Sequence, residues 1–369
     1  MEITVNTVKF QDMLNKVLKG AGMDPVRALT QNIGVKVEED GNLYLMSTDS
    51  VSYLKVISKD AIINHSDDLF DLLIPIAKFS DVIKKITSPN ITLKMEGTGC
   101  KVVGNGSYMI DLVEVDGEFP SFPFPDESEM TFIADSQQIV SPMDISNVVK
   151  TNQGSLATTT EIPALLNYYT NRSGVYSSDS DTVTWNKQVL FENDTLIPKR
   201  LMNLLGMFPD KEITVKSYEE GYISAESDTM VVISKVISDT ESFPLEVLKD
   251  IITANRQNCY LVNRAELMAC LDRIGLFIQE YDEGAVYLTF GNNSIIVTNK
   301  RGTSSERIPY VEPVNSDNNV VVLVCYNMLL KLLAALSTDV VNIYLDDREN
   351  ITMKLVGDTV VQAISLLED

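Results

Sequence analysis

Apolar positions alternate with polar ones from Met1 to Val5, in the period of a strand, and then recur at helical spacing through Phe10, Leu14 and Val17 until Gly20 and Gly22 break the pattern. From Gly34 to Val56 the alternation predicts two strands turning at Asp40-Gly41-Asn42. Leu73-Ile74-Pro75 leads into a helix whose buried face is Phe79, Val82, Ile83 and Ile86, stopped by Ser88-Pro89-Asn90. Three short strands then run toward Pro120, turning at Gly97-Thr98-Gly99 and Gly104-Asn105-Gly106, and the Pro-rich stretch from Phe119 to Pro125 reads as a linker.

The pattern then returns. Leu196-Ile197-Pro198 repeats Leu73-Ile74-Pro75, Ile213-Thr214-Val215-Lys216 repeats Ile91-Thr92-Leu93-Lys94, and Phe243-Pro244 repeats Phe119-Pro120, at offsets of 123, 122 and 124 positions. Ser177-Ser178-Asp179-Ser180 likewise matches Ser47-Thr48-Asp49-Ser50. A period that long is a whole domain. A third copy follows: Leu267, Leu271 and Ile274 reproduce the spacing of Phe10, Leu14 and Val17, and Leu329, Leu330, Leu333 and Leu336 form a last helix. The expectation is three domains, 1–125, 126–250 and 251–369, each with two helices and about eight strands in an α+β layer arrangement. In the second copy Pro142 is expected to interrupt the first helix, leaving Ile145 to Lys150.

Charge complicates the picture. The 369 residues carry a formal net charge of −22, which repels phosphate unless cations are segregated. They are: Lys16, Lys19, Lys78, Lys84, Lys85, Lys150, Lys199, Arg200, Arg264, Arg273 and Lys331 fall on the predicted helices, while Glu38-Glu39-Asp40, Asp126 to Glu129 and Glu280 to Glu283 fall on loops and strand tips. One lysine face on an amphipathic helix is ordinary solvation. Its repetition predicts a basic surface that attracts a polyanion through its phosphates without reading bases.

Chemistry is sparse. His65 is the only histidine and sits in a polar loop; no nucleophile elbow, phosphate loop or Cys/His cluster is present, so neither an enzyme nor a metal or cofactor is expected. The Ser-Asp-Ser tetrads read as strand-end turns in which Asp accepts backbone N–H groups, and Asp346-Asp347-Arg348-Glu349 as a charged hairpin tip. Four scattered cysteines fit a reduced, cytoplasmic chain, and no apolar run spans a bilayer.

The three tandem copies, Phe79-Ser80-Asp81-Val82 after Ile74-Pro75, the run Asp116-Gly117-Glu118-Phe119-Pro120 and Ser178-Asp179 together resemble the bacterial sliding clamp, the beta subunit of DNA polymerase III, over essentially the whole chain. The resemblance implies a DNA clamp fold: a head-to-tail homodimeric ring of six domains, with helices on the inner face around double-stranded DNA and antiparallel sheets outside. Its implied partners are a DNA polymerase and a clamp loader, with no membrane. It places Tyr108 and Ile110 against Phe277 and Ile278 at the dimer interface, although large apolar residues like these are equally what a core uses. It also implies a peptide-binding pocket of Leu166, Ser178, Ser180, Val183, Pro244, Leu248, Ala363, Leu366 and Leu367. Here the chain departs from the family pattern. Asp179-Ser180-Asp181-Thr182-Val183 stands where the family has Asp-Gly-His-Arg-Leu, Pro163, Ala164 and Leu165 replace an arginine and tyrosines, and the chain ends in Leu366-Leu367-Glu368-Asp369. A more acidic, less aromatic pocket implies different peptides, as in a clamp encoded by a phage or mobile element. The alternative is a clamp-fold scaffold that does not encircle DNA.

Overall fold

The computed structural model describes residues 1–22, 24, 26–38, 40–65, 70–114, 118–237, 239–278, 284–313, 319–346 and 350–368. Several features read from the sequence lie outside the described residues: Glu39, the surroundings of His65, Asp116-Gly117, the acidic stretch 280–283, the polar loop 315–318 and the hairpin tip 347–349.

The chain begins with β1 (Glu2–Asn6) and α1 (Thr7–Val17). The Asn6 side chain caps α1 by accepting the Lys9 N–H, and Phe10, Met13, Leu14 and Val17 form the buried face. Past the helix end, the chain at Gly20 runs so close to the sheet that a Cβ would fall 2.5 Å from Ser47 Oγ, which is why glycine stands there. Next come β2 (Asn32–Val37), β3 (Leu43–Thr48), β4 (Ser52–Ser58), β5 (Ile62–His65) and β6 (Phe70–Pro75). Three strands, not the expected two, therefore occupy the Gly34–Val56 stretch, since a second tight turn at Asp49-Ser50 adds β4 to β2 and β3. Then follow α2 (Ile76–Lys85), β7 (Asn90–Glu96), β8 (Gly99–Val103), β9 (Ser107–Asp111) and β10 (Gln138–Val140).

The helix α3 spans Pro142–Asn152. The expected interruption at Pro142 does not occur: the proline is the first residue of the helix, where a missing N–H leaves no bond unmade and the fixed φ suits the first turn. The chain continues through β11 (Asn167–Asn171), β12 (Gly174–Ser178), β13 (Thr182–Asn186), β14 (Thr195–Pro198), α4 (Lys199–Leu205), β15 (Ile213–Tyr218), β16 (Tyr222–Glu226) and β17 (Met230–Lys235). After Pro244 comes a helix that the sequence patterning did not suggest, α5 (Leu245–Thr253). The last part comprises β18 (Asn258–Asn263), α6 (Arg264–Gly275), β19 (Ala285–Phe290), β20 (Ser294–Asn299), β21 (Ser305–Pro309), β22 (Val320–Cys325), α7 (Tyr326–Ala335), β23 (Val340–Leu345), β24 (Thr352–Val356) and β25 (Val360–Ser365). Asn263 caps α6 as Asn6 caps α1, accepting the Glu266 N–H.

These elements make two compact units, Met1–Met143 with Asn203–Val236 and Asp144–Met202 with Ile237–Asp369. The first holds an antiparallel sheet ordered β5-β1-β7-β8-β9 and another ordered β10-β15-β16-β17-β4-β3-β2-β6; the second holds β14-β11-β12-β13-β25-β24-β23-β18 and β21-β20-β19-β22. Two kinds of half-sheet recur. One runs β1-β7-β8-β9, β10-β15-β16-β17 and β18-β23-β24-β25; the other runs β6-β2-β3-β4, β14-β11-β12-β13 and β22-β19-β20-β21. Inside the chain β17 joins β4 and β25 joins β13. Among the described residues, β9 and β21 end their sheets without a neighbour.

The repeat can be aligned residue by residue through the ladders. Val103, Glu226 and Val356, the last residues of β8, β16 and β24, face Ser107, Val231 and Val361. For Val356 the facing residue is Val361 by the same ladder. Gly34, Tyr169 and Tyr287, each third in its strand, face Met46, Tyr176 and Thr298, which in turn face Lys55, Trp185 and Ser305.

One aligned position is out of character. Gln362 is fully buried, and among the described residues neither its Nε2 nor its Oε1 has a partner, whereas Val232 occupies the equivalent place in β17. A buried amide with unmade bonds costs more than an apolar side chain of similar size. Gln362→Met is therefore expected to stabilise the chain by about 1–2 kcal/mol, read as a higher urea midpoint at unchanged m-value. A lower midpoint would mean that the amide is satisfied by buried water.

Candidate functional site: helix cations, open strand edges and an apolar pocket

The Ser-Asp-Ser tetrads are structural, as their sequence setting suggested. Ser47 Oγ donates to Val17 O and Ser177 Oγ to Asn152 O, tying the ends of α1 and α3 to the sheets. Asp49 Oδ1 accepts from the backbone of Val51 and Ser52, and Asp179 Oδ1 from Asp181 and Thr182. Ser50 and Ser180 both adopt φ of +79° at the turn. Carboxylates so occupied are spoken for by backbone donors, and among the described residues no group of three or more His, Cys, Asp or Glu side chains is placed to hold a metal.

The cations divide into two sets. Lys78, Lys84 and Lys85 of α2, Lys150 of α3, Lys199 of α4 and Lys331 of α7 are exposed and form no ion pair among the described residues. Lys84, Lys85 and Lys150 lie in the last turns of their helices, where the macrodipole favours positive charge. Others are already engaged. Lys16 pairs with Asp12 at 2.7 Å. Arg273 makes a two-point pair with Glu306, which raises the guanidinium and lowers the carboxyl from their ordinary values. Arg264 donates Nε to Thr338 O at 2.6 Å and Nη1 to Leu333 O, so it caps the end of α7. Lys19 is exposed and Arg200 half-buried. In the second unit, Lys150 and Lys331 converge on a cavity of about 520 Å³ between α3 and α7, with Asp179, Thr158 and Thr159 on its wall.

Of the residues nominated for the interface between copies, Tyr108 on β9 is 40% exposed and Phe277 is 55% exposed, while Ile110 is only 4% exposed and Ile278 packs against a core. Of the nominated pocket, Val183, Leu248 and Ala363 come together in one apolar cluster. Val183 faces Ala363 across the β13–β25 join, and Leu248 arrives on α5. Leu166 is exposed, Pro244 is half-buried, and Ser178 Oγ is used in the turn, donating to Thr182 O. Leu366 packs instead against the core that holds α6 and α7, and Leu367 is anchored by its N–H to Leu323 O. Residues that sequence reading did not nominate for the pocket join the cluster, among them Tyr169, Tyr176, Phe243, Ile252 and Val361, together with Ala164 and Leu165. Their signal was available, since Tyr169, Tyr176 and Trp185 sit at matching positions of three adjacent strands; Tyr176 stacks on Trp185 at 5.9 Å and Tyr169 on Phe243 at 4.9 Å.

Half-sheets of two kinds joined edge to edge, each backed by helices, are the DNA clamp fold, and comparison with solved structures bears this out along the whole length. The chain is similar to the DNA polymerase sliding clamp of Bacillus subtilis (14% identical, covering 100% of this chain and 99% of that one, TM-score 0.83). It is similar also to the DnaN sliding clamp of Bartonella birtlesii bound to griselimycin (16%, 100% of both chains, TM-score 0.84) and to the Helicobacter pylori beta clamp bound to a DNA ligase peptide (15%, 100% of both chains, TM-score 0.81). No family model matches the sequence. No curated protein matches it either. At this identity the likeness establishes the fold, in a sequence far diverged from those clamps.

Proposed function

We propose that this chain is a DNA sliding clamp, a non-enzymatic processivity factor that pairs head to tail with a second copy into a closed ring around duplex DNA and tethers a polymerase there. The observation that carries this reading is the pair of open edges. β9 is the counterpart of β17 and β25, and β21 of β4 and β13, and those counterparts join inside the chain. Joining β9 to β21 of another copy twice over gives each of these two edges the partner its equivalents already have. Tyr108 and Phe277 then become covered apolar surface at the join, over a floor that includes Ile110 and Ile278.

In that arrangement the three domains of each copy, 1–125, 126–250 and 251–369, supply six to the ring. Unpaired cations on α2, α3, α4 and α7 meet phosphates, with Lys16, Lys19, Arg200, Arg264 and Arg273 flanking them. Loose phosphate contacts suffice, because a closed ring is held by topology and must slide. A closed ring needs an ATP-driven loader to open it. The cluster around Val183, Leu248 and Ala363 is the place for a partner's short peptide, by analogy with the ligase peptide on the Helicobacter pylori clamp. Among the described residues no helix is long and apolar enough to cross a membrane.

Light scattering tests the ring: the expected mass is twice the 41.0 kDa of one chain. After loading, retention on circular DNA with release on linearisation is the expected outcome. A monomer at micromolar concentration, or equal retention on both DNA forms, would favour a clamp-fold scaffold that does not encircle DNA.

A further inference from the structure

The first unit contains a cavity of about 470 Å³ under the segment that follows Phe119-Pro120, walled by Met46, Phe122, Phe124, Val231 and Ile233, with Lys55 on its wall. Its origin lies in the repeat. In the second unit the aligned positions hold Tyr169, Tyr176 and Trp185, with Tyr176 edge-on to Tyr169 at 6.3 Å and stacked on Trp185 at 5.9 Å. In the first unit they hold Gly34, Met46 and Lys55. Gly34 lets the chain at Phe122 press onto the strand, where a Cβ would fall 2.5 Å from Phe122 Cβ, and the missing rings leave the space beside Met46 and Lys55 open.

Charge in this cavity is uneven. Glu38 pairs with Lys36 at 3.0 Å, Glu127 and Glu226 share Lys216 at 3.6 and 3.4 Å, and Asp126 accepts the Ser128 N–H at 2.8 Å. Lys55 has no carboxylate within ion-pair distance among the described residues; its Nζ rests 4.2 Å from the centre of the Phe124 ring and 5.7 Å from that of Tyr44. Burial lowers the lysine from its ordinary value, the mark of an ammonium short of water, and the carboxylates of Glu38, Glu127 and Asp126 offset this only in part. The unmet demand is for one negative charge attached to something apolar.

We propose that this cavity docks the C-terminus of a partner protein, with an apolar last side chain held between Phe122, Phe124 and Ile233 and the terminal carboxylate paired with Lys55. The rim narrows the choice. Glu38, Asp126, Glu127 and Glu226 repel a polyanion, which excludes nucleic acid, and favour basic residues just upstream of the terminus. A cavity of this size takes one large side chain and its carboxylate. The site is separate from the cluster around Val183 and does not depend on ring formation.

The test is fluorescence anisotropy on the full chain with an N-terminally labelled Lys-Lys-Ser-Leu-Phe peptide, as the free acid and as the C-terminal amide. Amidation removes the charge and is expected to weaken binding about tenfold or more. Lys55→Met should abolish the difference between the two peptides, and Lys55→Arg should keep it. Met46→Tyr, which restores one ring of the second unit's row, should block both peptides. A Leu248→Ala variant, altered in the other cluster, should bind as the parent does; loss of binding there would move the peptide to that cluster and overturn the assignment. Equal affinity for acid and amide, no effect of Lys55→Met at an unchanged melting temperature, or competition by phenylpropionate as tight as by the peptide would each overturn it too.

Discussion

A Ser107→Cys, Ser305→Cys double variant is expected to run as a covalent dimer on non-reducing electrophoresis after mild oxidation. The register follows from the joins already inside the chain. Val231 faces Lys55 and Val361 faces Trp185. The ladders make Ser107 the counterpart of Val231 and Val361, and Ser305 the counterpart of Lys55 and Trp185, so the same pairing puts Ser107 opposite Ser305 of the other copy. Facing residues of an antiparallel pair sit about 4.5–5.5 Å apart at Cα, inside the range a disulfide spans. Displacing one cysteine by two residues, as Ser107→Cys with Arg307→Cys, keeps the side chain on the same face but breaks the pairing, and should cross-link poorly. Of the native cysteines, Cys100 and Cys270 are buried, and burial pushes both of those thiols up to about 12; Cys259 and Cys325 are half-buried free thiols, so the parent chain oxidised in the same way is the control. Equal cross-linking of the in-register and shifted pairs would sink the register, and absence of cross-linking in both would sink the edge-to-edge join.

Charge reversal on α2 is the second large effect. Lys84→Glu with Lys85→Glu removes two exposed, unpaired cations from one helix end, and Lys199→Glu adds a third at the start of α4. Every phosphate left without its lysine should flatten the dependence of log affinity on log salt by ~0.9 for duplex DNA. Association with linear duplex at low salt is thus expected to fall by at least tenfold, with a visibly shallower slope. Arg273→Glu serves as the contrast. Its guanidinium is occupied by Glu306, so reversal there should change stability more than DNA association. An unchanged slope in the α2 variant would take Lys84 and Lys85 out of the DNA-binding surface.

Much of the fold was legible in the sequence because a repeated pattern is read more than once. The spacing of Phe10, Leu14 and Val17 returns in Leu267, Leu271 and Ile274, which are the buried faces of α1 and α6, and the two Ser-Asp-Ser tetrads make the same turn, so each copy vouches for the other. Single-copy signals misled. Pro142 looked like a breaker because a proline's effect depends on whether it stands first in a helix or inside one, and the flanking Ser and Asn residues did not decide that. The helix α5 was hidden because Phe243-Pro244 matches Phe119-Pro120, yet the chain beyond the first is a helix and beyond the second a stretch without regular secondary structure. The site was less legible. Lysines on helices were easy to find, but that Arg264 and Arg273 are tied down by Thr338, Leu333 and Glu306 is a matter of contacts between residues far apart in the chain. The cavity at Lys55 could not be read at all until the ladders aligned Gly34, Met46 and Lys55 with three aromatic residues.

The joins β4–β17 and β13–β25 fall out of step with the repeat, and this sets a condition on how such a chain arose. Every repeat bears one edge of each kind, so even a lone ancestral repeat would have been sticky at both ends, head for tail. A heterologous join of that sort has no built-in stopping point: copies close into a ring if the turn made at each join divides a full circle, and otherwise grow into a filament. Fusing three repeats in one chain turns two of every three joins into internal contacts at high effective concentration and leaves a single join to be made by collision. In the proposed ring, assembly and disassembly would be governed at that one place, by five residues of β9 and five of β21.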